Sequence, residues 1–149
     1  MSSEFVYEVL EKAAKASTKE EKIEILKENN SISLRNILKG SMDESVIFLL
    51  PEGTPPYVPD DAPHGYTKST LNQKTDVLSY FVKGGKGEGL MQIKRERMFI
   101  ELLESIHAEE AKLVILMKDK ALINKDGTPY YSGITKELVK EVFPGLIKV

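Results

Sequence analysis

The feature that most constrains the fold is a proline-rich segment at residues 49–66, LLPEGTPPYVPDDAPHGY, which we call the proline strap. It contains five of the seven prolines of the chain, namely Pro51, Pro55, Pro56, Pro59 and Pro63. Each proline fixes its own φ, lacks an N–H donor and biases the preceding residue away from helix. The strap therefore predicts neither a helix nor a central strand. Its tyrosines and carboxylates are untypical of a flexible linker, so we expect a stiff segment that lies against a folded body or serves as a docking surface.

Composition predicts one soluble domain that spans residues 1–149. The chain has 149 residues, of which 41% are hydrophobic and 30% charged, which is typical of a globular protein. The absence of cysteine excludes disulfides, thiolate metal sites and a cysteine nucleophile. We expect no signal peptide and no membrane span, since no apolar run approaches about 20 residues. A net charge of −2 argues against a protein that coats DNA through overall charge.

The region before the strap predicts short helices. Apolar residues recur at intervals of three and four over residues 5–14, which indicates one helical face. A Ser-Thr-Lys-Glu sequence at residues 17–20 has the spacing of a capping box and opens a second helix. Residues 32–38 predict a third, which we expect Gly40 to end. The apolar run from Val46 to Leu50, which Pro51 ends, could by itself be a strand. A second apparent capping box before it, Ser-Met-Asp-Glu at residues 41–44, favours a helix.

The region after the strap predicts four further helices, over residues 67–82, 90–106, 109–122 and 135–142. Residues 83–89, KGGKGEG, lie between the first two of these and predict a flexible connector. The sequence NKDGTP at residues 124–129 predicts a tight turn and is compatible with a small β-hairpin carrying Tyr130 and Tyr131. The predicted fold class is mainly α: a single-domain helical bundle with a long proline-rich strap and, at most, one small β-hairpin.

The glycine-rich connector invites comparison with a phosphate-binding loop, because glycine amides can surround an anion. A P-loop requires Lys and Ser/Thr after its last glycine and a strand before it. Here Leu90 follows Gly89, and the preceding segment predicts a helix. The spacing therefore favours a connector over a nucleotide loop.

Basic residues concentrate around the start of the helix predicted at residues 90–106. As cations they could contact phosphate groups, and each contact would add to a salt-dependent affinity. Interleaved glutamates support a second interpretation, a solvated helix face. Cations in the first turns of a helix interact unfavourably with its dipole, so their presence there suggests a function other than stabilising the helix. The candidate anion- or nucleic-acid-binding residues are Lys83, Lys86, Lys94, Arg95 and Arg97.

Histidine chemistry is sparse. His64 lies close to Asp60 and Asp61, a grouping that could bind a metal or act as a base. Only one histidine is local, however, and aspartates in proline loops commonly form Asx turns. His107 precedes two glutamates and fits a helix cap or connection. We therefore predict no catalytic residues, no metal and no cofactor.

Aromatic residues in the non-helical segments offer the better candidates for binding. Tyrosine beside proline can form a partner-binding surface, since aromatic anchors dominate interface energetics. Such residues also serve to pin a loop to its own core while the hydroxyl stays hydrated. The candidate partner-binding residues of the strap are Pro55, Pro56, Tyr57, Pro59 and Tyr66.

Several stretches together resemble a family of small uncharacterised proteins of T4-like tailed phages, including those of marine cyanobacteria. The pattern comprises KxEKIEIL at 19–26, LRxxLKG at 34–40, LLPEGxPPYxPxDAPxG at 49–65, RxxMFIxxLExxHxxEA at 95–111, MKDK at 117–120 and GITxxLVKExFPGLI at 133–147. The strap carries the most specific match. The resemblance implies a phage protein that works in the cytoplasm of an infected bacterium, and it brings no activity or catalytic residues.

Three functional hypotheses follow. The first is a non-enzymatic phage accessory protein that binds a host or phage protein through the strap. The second is a nucleic-acid-binding factor of phage replication or transcription that uses the basic residues. The third is a sponge for small signalling nucleotides, which depends on the glycine-rich connector, small size and phage origin.

Overall fold

The structure, a computed structural model, describes residues 5–60 and 68–148. These residues form helices and no β-sheet, as the fold-class prediction requires. The helices are α1 (Val6–Lys15), α2 (Lys19–Glu28), α3 (Ile32–Met42), α4 (Leu71–Lys74) with a 3₁₀ helix (Thr75–Phe81), α5 (Gln92–Ser105), α6 (Ala108–Lys118) and α7 (Lys136–Val142). None of these helices is both long and apolar enough to cross a lipid bilayer.

Side-chain caps set where most of these helices begin. Hydroxyl oxygens of Thr18, Ser31 and Thr135 accept hydrogen bonds from the backbone N–H three residues on. The cap of α2 is thus Thr18, one residue later than the Ser17 of the predicted capping box. His107 caps α6, since its Nδ1 accepts a hydrogen bond of 3.0 Å from Glu109 N. This confirms the expectation of a capping or connecting role for that histidine.

Helix α6 forms the centre of the packing and contacts α1, α3 and α5. Its residues 113–115 and 117 are all buried, as the continuous apolar run predicts. Gly40 lies within α3 and does not end it, which corrects the prediction. A Cβ on Gly40 would lie 2.8 Å from the Met117 side chain, so the missing side chain lets α3 approach α6 closely. The core unites buried residues of all seven α-helices.

The prediction of a helix after the Ser-Met-Asp-Glu sequence is wrong. Since α3 continues to Met42, Ser41 is still helical and Asp43 is the C-cap of α3. The chain beyond it is extended, and Phe48 forms an antiparallel bridge with Val82. Hydrogen bonds from Leu49 N to Phe81 O (2.7 Å) and from Lys83 N to Ile47 O (2.8 Å) flank the bridge. Tertiary pairing therefore overrides the local helix signal.

Two further segments are less regular than predicted. The helix expected over residues 67–82 begins, among the described residues, at Leu71 and becomes 3₁₀ from Thr75 onwards. In place of the small β-hairpin with which the sequence is compatible, the structure has one antiparallel bridge between Ile123 and Pro129. Around it, Tyr130 N donates to Leu122 O and Asn124 N donates to Thr128 O, both at 2.8 Å. The predicted tight turn is present, but no strands flank it.

Asp43 fastens the end of the chain to the end of α3. Its side chain is fully buried, and it accepts hydrogen bonds from Lys148 N (2.8 Å), Lys39 Nζ (3.0 Å) and Ser45 Oγ (2.7 Å). Lys39 Nζ also donates to Leu146 O (2.8 Å). Burial alone would raise the pKa of the Asp43 carboxyl, but these hydrogen bonds outweigh it and hold the pKa well below its usual value.

We predict that Asp43 makes folding sensitive to acid. Its folded-state pKa lies below the value of about 3.9 expected in the unfolded chain. The stabilisation is therefore fully present above that unfolded value and is lost as pH falls towards the folded pKa. Asp43→Asn should lower the free energy of unfolding by about 2 kcal/mol at pH near 7 and should flatten the loss in acid. Urea unfolding across the acid range checks both effects; an unchanged acid dependence in the variant would contradict the assignment.

Candidate partner-binding site

The described part of the proline strap, residues 49–60, runs along the outside of α5 and α6. Residues near its start lie beside Phe99 and Ile100 of α5, and Val58 reaches Glu104 near the end of that helix. Asp60 then forms a parallel bridge with His107 at the start of α6. The strap therefore follows α5 in the same direction and α6 in the opposite one.

Charged side chains hold the strap by its backbone. Lys118 Nζ donates to the carbonyl oxygens of Pro51 (2.8 Å) and Gly53 (2.9 Å). Gly53 N donates to both carboxylate oxygens of Asp119, each at 3.2 Å. Val58 N donates to Glu104 Oε2 at 2.8 Å. Prolines leave a segment with few groups for regular backbone pairing, so these side chains supply partners that a sheet would otherwise provide.

Lys118 is the central anchor. Its side chain is only 2% exposed and lies 2.5 Å from Asp119 Oδ1, so the buried cation has a carboxylate and two carbonyls around it. The ammonium also lies 5.9 Å from the centre of the Phe99 ring. A buried charge is tolerated when it is paired and hydrogen-bonded in this way. Sequence analysis missed this anchor because nothing local links residue 118 to a loop more than 60 positions earlier.

The strap side chains divide into an inward and an outward set. Tyr57 is half-buried and packs against the core, and burial raises the pKa of its phenol above the usual value. Pro55 is also half-buried, whereas Pro56 and Pro59 are exposed. Val58 is 75% exposed. Tyr66, the remaining predicted contact, lies outside the described residues, as do Asp61 and His64 of the weighed metal or base grouping.

A cavity of about 320 Å³ lies between the strap and α5. Its apolar lining includes Leu50, Phe99 and Ile100. Two carboxylates, Glu52 and Glu96, and one cation, Lys118, also line it. The cavity and the outward side chains Pro56, Val58 and Pro59 together form one surface at the strap, which combines apolar and charged groups.

The predicted basic residues differ in exposure and in the part of the structure that they line. Arg95 is 5% exposed, and its Nη2 donates to the carbonyl oxygens of Gly87 (2.9 Å) and Leu90 (2.9 Å). It fastens the glycine-rich segment to α5 and so is already engaged. Lys94 and Arg97 are exposed on α5. Lys83 and Lys86 are exposed too, but Lys86 lines a different cavity, next to α3.

The glycine-rich segment is a series of turns with specific contacts. Gly84 N donates to Glu88 Oε1 (3.0 Å) and Gly85 N to Val82 O (3.0 Å), so these amides are used within the segment. A Cβ at Gly87 would collide with the carbonyl oxygen of Tyr80, which explains why glycine is needed there. This geometry adds no support to the nucleotide-loop interpretation.

We predict that Lys118→Met releases the strap. Methionine keeps the apolar stem but removes the three donors, so the carbonyls of Pro51 and Gly53 and the carboxylate of Asp119 lose their partner. The free energy of unfolding should fall by about 2 kcal/mol, and cleavage within residues 49–60 should accelerate in limited proteolysis. Lys112→Met is the control, since that lysine side chain is 63% exposed and forms a surface ion pair with Glu109. Equal proteolysis of both variants would argue against the anchor.

Comparison with known proteins places most of the chain in one family. Residues 9–124 match the profile described as "Family of unknown function (DUF6433)". The match begins within α1, includes α2 to α6 and the strap, and ends before α7. No curated protein shows a significant match to the chain. The chain therefore belongs to the DUF6433 family, a family of unknown function.

Proposed function

We propose that this protein is a non-enzymatic accessory protein of a tailed phage that binds a host or phage protein through the proline strap. It would do so in the cytoplasm of the infected bacterium. Support for this setting comes from the sequence resemblance to proteins of T4-like phages, which is most specific in the strap. Support for binding comes from the way in which the strap is held.

One observation carries the proposal: the anchors of the strap act on its backbone and leave outward side chains unused. Lys118, Asp119 and Glu104 bind backbone atoms. A loop that served only as a cover would gain most by burying its apolar side chains, yet Val58 is 75% exposed. Ordering the backbone in advance lowers the entropic cost of binding, so this design suits a segment that presents side chains to another protein.

The chemistry of the surface indicates the kind of contact. Pro56, Val58 and Pro59 provide a rigid apolar ridge on an extended backbone. Proline-rich segments of this kind dock into aromatic-lined grooves, since little conformational entropy remains to be lost. The cavity beside the ridge, lined by Phe99 and Ile100, can accept an apolar side chain of the partner. We expect a partner surface with aromatic residues opposite the ridge.

The test compares two exposed aliphatic residues. Tagged wild type, Val58→Asp and Ile32→Asp are used to capture proteins from phage-infected bacterial lysate treated with nuclease. Both residues are largely exposed, at 75% and 58%, so both variants should fold. We expect a stoichiometric partner with wild type and Ile32→Asp, and binding at least about tenfold weaker with Val58→Asp.

Purified components then measure the affinity directly. Circular dichroism and thermal unfolding establish that both variants retain the fold. Binding that is equal for wild type and both variants, or no partner at all in nuclease-treated lysate, would exclude the strap as a protein-binding surface.

Nucleic-acid binding through α5 is the second candidate. Lys94 and Arg97 are exposed, and the first turn of α5 has no acidic residue and no side-chain cap. The first turn of α2, in contrast, carries two glutamates, and that of α6 does as well. The positive end of the α5 dipole and these cations would add their attraction for phosphate groups.

Salt dependence tests this second candidate. If phosphates are bound here, affinity for single-stranded DNA or RNA should fall steeply with salt, and Lys94→Ala and Arg97→Ala should each reduce the log–log slope by about 1. Lys27→Ala on α2 removes an equally exposed cation and should leave the slope unchanged. Fluorescence anisotropy over a salt series gives the slope; binding that is undetectable or insensitive to salt would remove this candidate.

A further inference from the structure

A second cavity lies away from the strap, between α3, the 3₁₀ helix and the extended residues 46–48, and we call it the α3 cavity. Its volume is about 350 Å³, within the range of small-molecule sites. Neither the proposed protein binding nor the nucleic-acid alternative uses it. Residues 46–48 reach it because they bridge to Val82 instead of forming a helix.

One wall of the α3 cavity is apolar. Five side chains form it, namely Val46, Phe48, Leu78, Val82 and Met117. Gly40 also lines the cavity, and its missing Cβ leaves room for Met117 and for the Phe48 ring, whose Cζ would otherwise lie 3.2 Å from it. The half-buried Phe48 and Val82 side chains make a suitable surface for the flat or apolar body of a ligand, and the buried Met117 lies behind it.

The opposite wall offers hydrogen-bond donors that bonds among residues 5–60 and 68–148 use only in part. Asn36 Nδ2 donates one hydrogen bond to Thr75 Oγ1 (2.9 Å), so a second amide proton and the Thr75 hydroxyl proton remain. Lys39 Nζ donates to Asp43 and to Leu146 O, which leaves its third donor. These groups come from α3 and the 3₁₀ helix and are held in place by those bonds.

The charges around the cavity favour an anion. Two lysines, Lys39 and Lys86, line it, against one carboxylate, Asp76. Lys86 is exposed, and its ammonium has no ion-pair partner among residues 5–60 and 68–148. A third cation, the ammonium of Lys120, lies 5.5 Å from the centre of the Phe48 ring. Lys39 is paired with the Asp43 carboxylate at 3.0 Å, so Lys86 is the lining cation that remains for a negative group.

We propose that the α3 cavity binds a small organic anion, with an apolar or aromatic body on Phe48 and Val82 and a carboxylate or phosphate group at Lys86. The donors of Asn36, Lys39 and Thr75 orient the anionic group. The cavity is too small for a polymer chain, so this site is separate from the nucleic-acid candidate on α5.

The test uses matched anionic and neutral probes. Adenosine monophosphate and phenylacetate are titrated into the protein by isothermal calorimetry and amide NMR, with adenosine and phenylacetamide as neutral counterparts. We expect at least one anion to bind in the millimolar range or tighter, to perturb the amides of Asn36 and Gly40, and to bind at least about tenfold more tightly than its neutral counterpart. Which anion binds distinguishes a phosphate from a carboxylate ligand.

Two lysine variants locate the site. Lys86→Glu should weaken binding of the anion at least about tenfold, while Lys83→Glu, an equal charge change on an exposed neighbour that does not line the cavity, should change it less than about twofold. Both side chains are exposed, so both variants should fold. The proposal is overturned if no anion binds, if the neutral probes bind equally well, or if the two variants weaken binding equally.

Discussion

Lysine and arginine side chains that donate hydrogen bonds to backbone carbonyls hold the helix ends and loops of this structure in place. Lys22 Nζ donates to the carbonyls of Ala13, Ala14 and Ala16 at the end of α1. Lys120 Nζ donates in the same way to Gly40 and Asp43 at the end of α3. The last carbonyls of a helix lack intrahelical partners and carry partial negative charge, so a cation with several donors stabilises them. Lys118 and Arg95 make the same interaction with loops, which explains how long connections are ordered although residues 5–60 and 68–148 form no sheet.

Because of this interaction, the groups that hold the strap differ from the side chains that the strap exposes to solvent. The anchors bind its backbone, so sequence changes at Pro56 or Val58 need not disturb its course. The two cavities share no lining residue. A protein-binding surface and a small-molecule site can therefore coexist on one small chain, each held by a different set of contacts.

Periodicity and caps predicted the regular parts of the fold well. The apolar spacing of α1, α5 and α6 reflects burial against a common core, and local hydroxyl caps such as Thr135 mark helix starts. Proline chemistry likewise predicted a non-helical strap, because it acts within a few residues. Long-range contacts decided the rest. The Ser-Met-Asp-Glu sequence has the local pattern of a capping box, but Asp43 is instead bound by Lys148, which is 105 residues away. The partners of the strap and the burial of Arg95 are equally invisible to any short window.

The bond between Asp43 and Lys148 has a consequence for synthesis on the ribosome. Domains begin to fold from the first residues at about 5–20 residues per second, so α1, α2 and α3 emerge long before residue 148. Until then the carboxylate of Asp43 lacks its backbone donor from Lys148 and the end of α3 must stay hydrated. Closing so long a loop is entropically costly and comes late. The hydrogen bonds of Asp43 are therefore completed only after residue 148 has left the exit tunnel, and a chain stopped before residue 148 would leave this buried charge incompletely bonded.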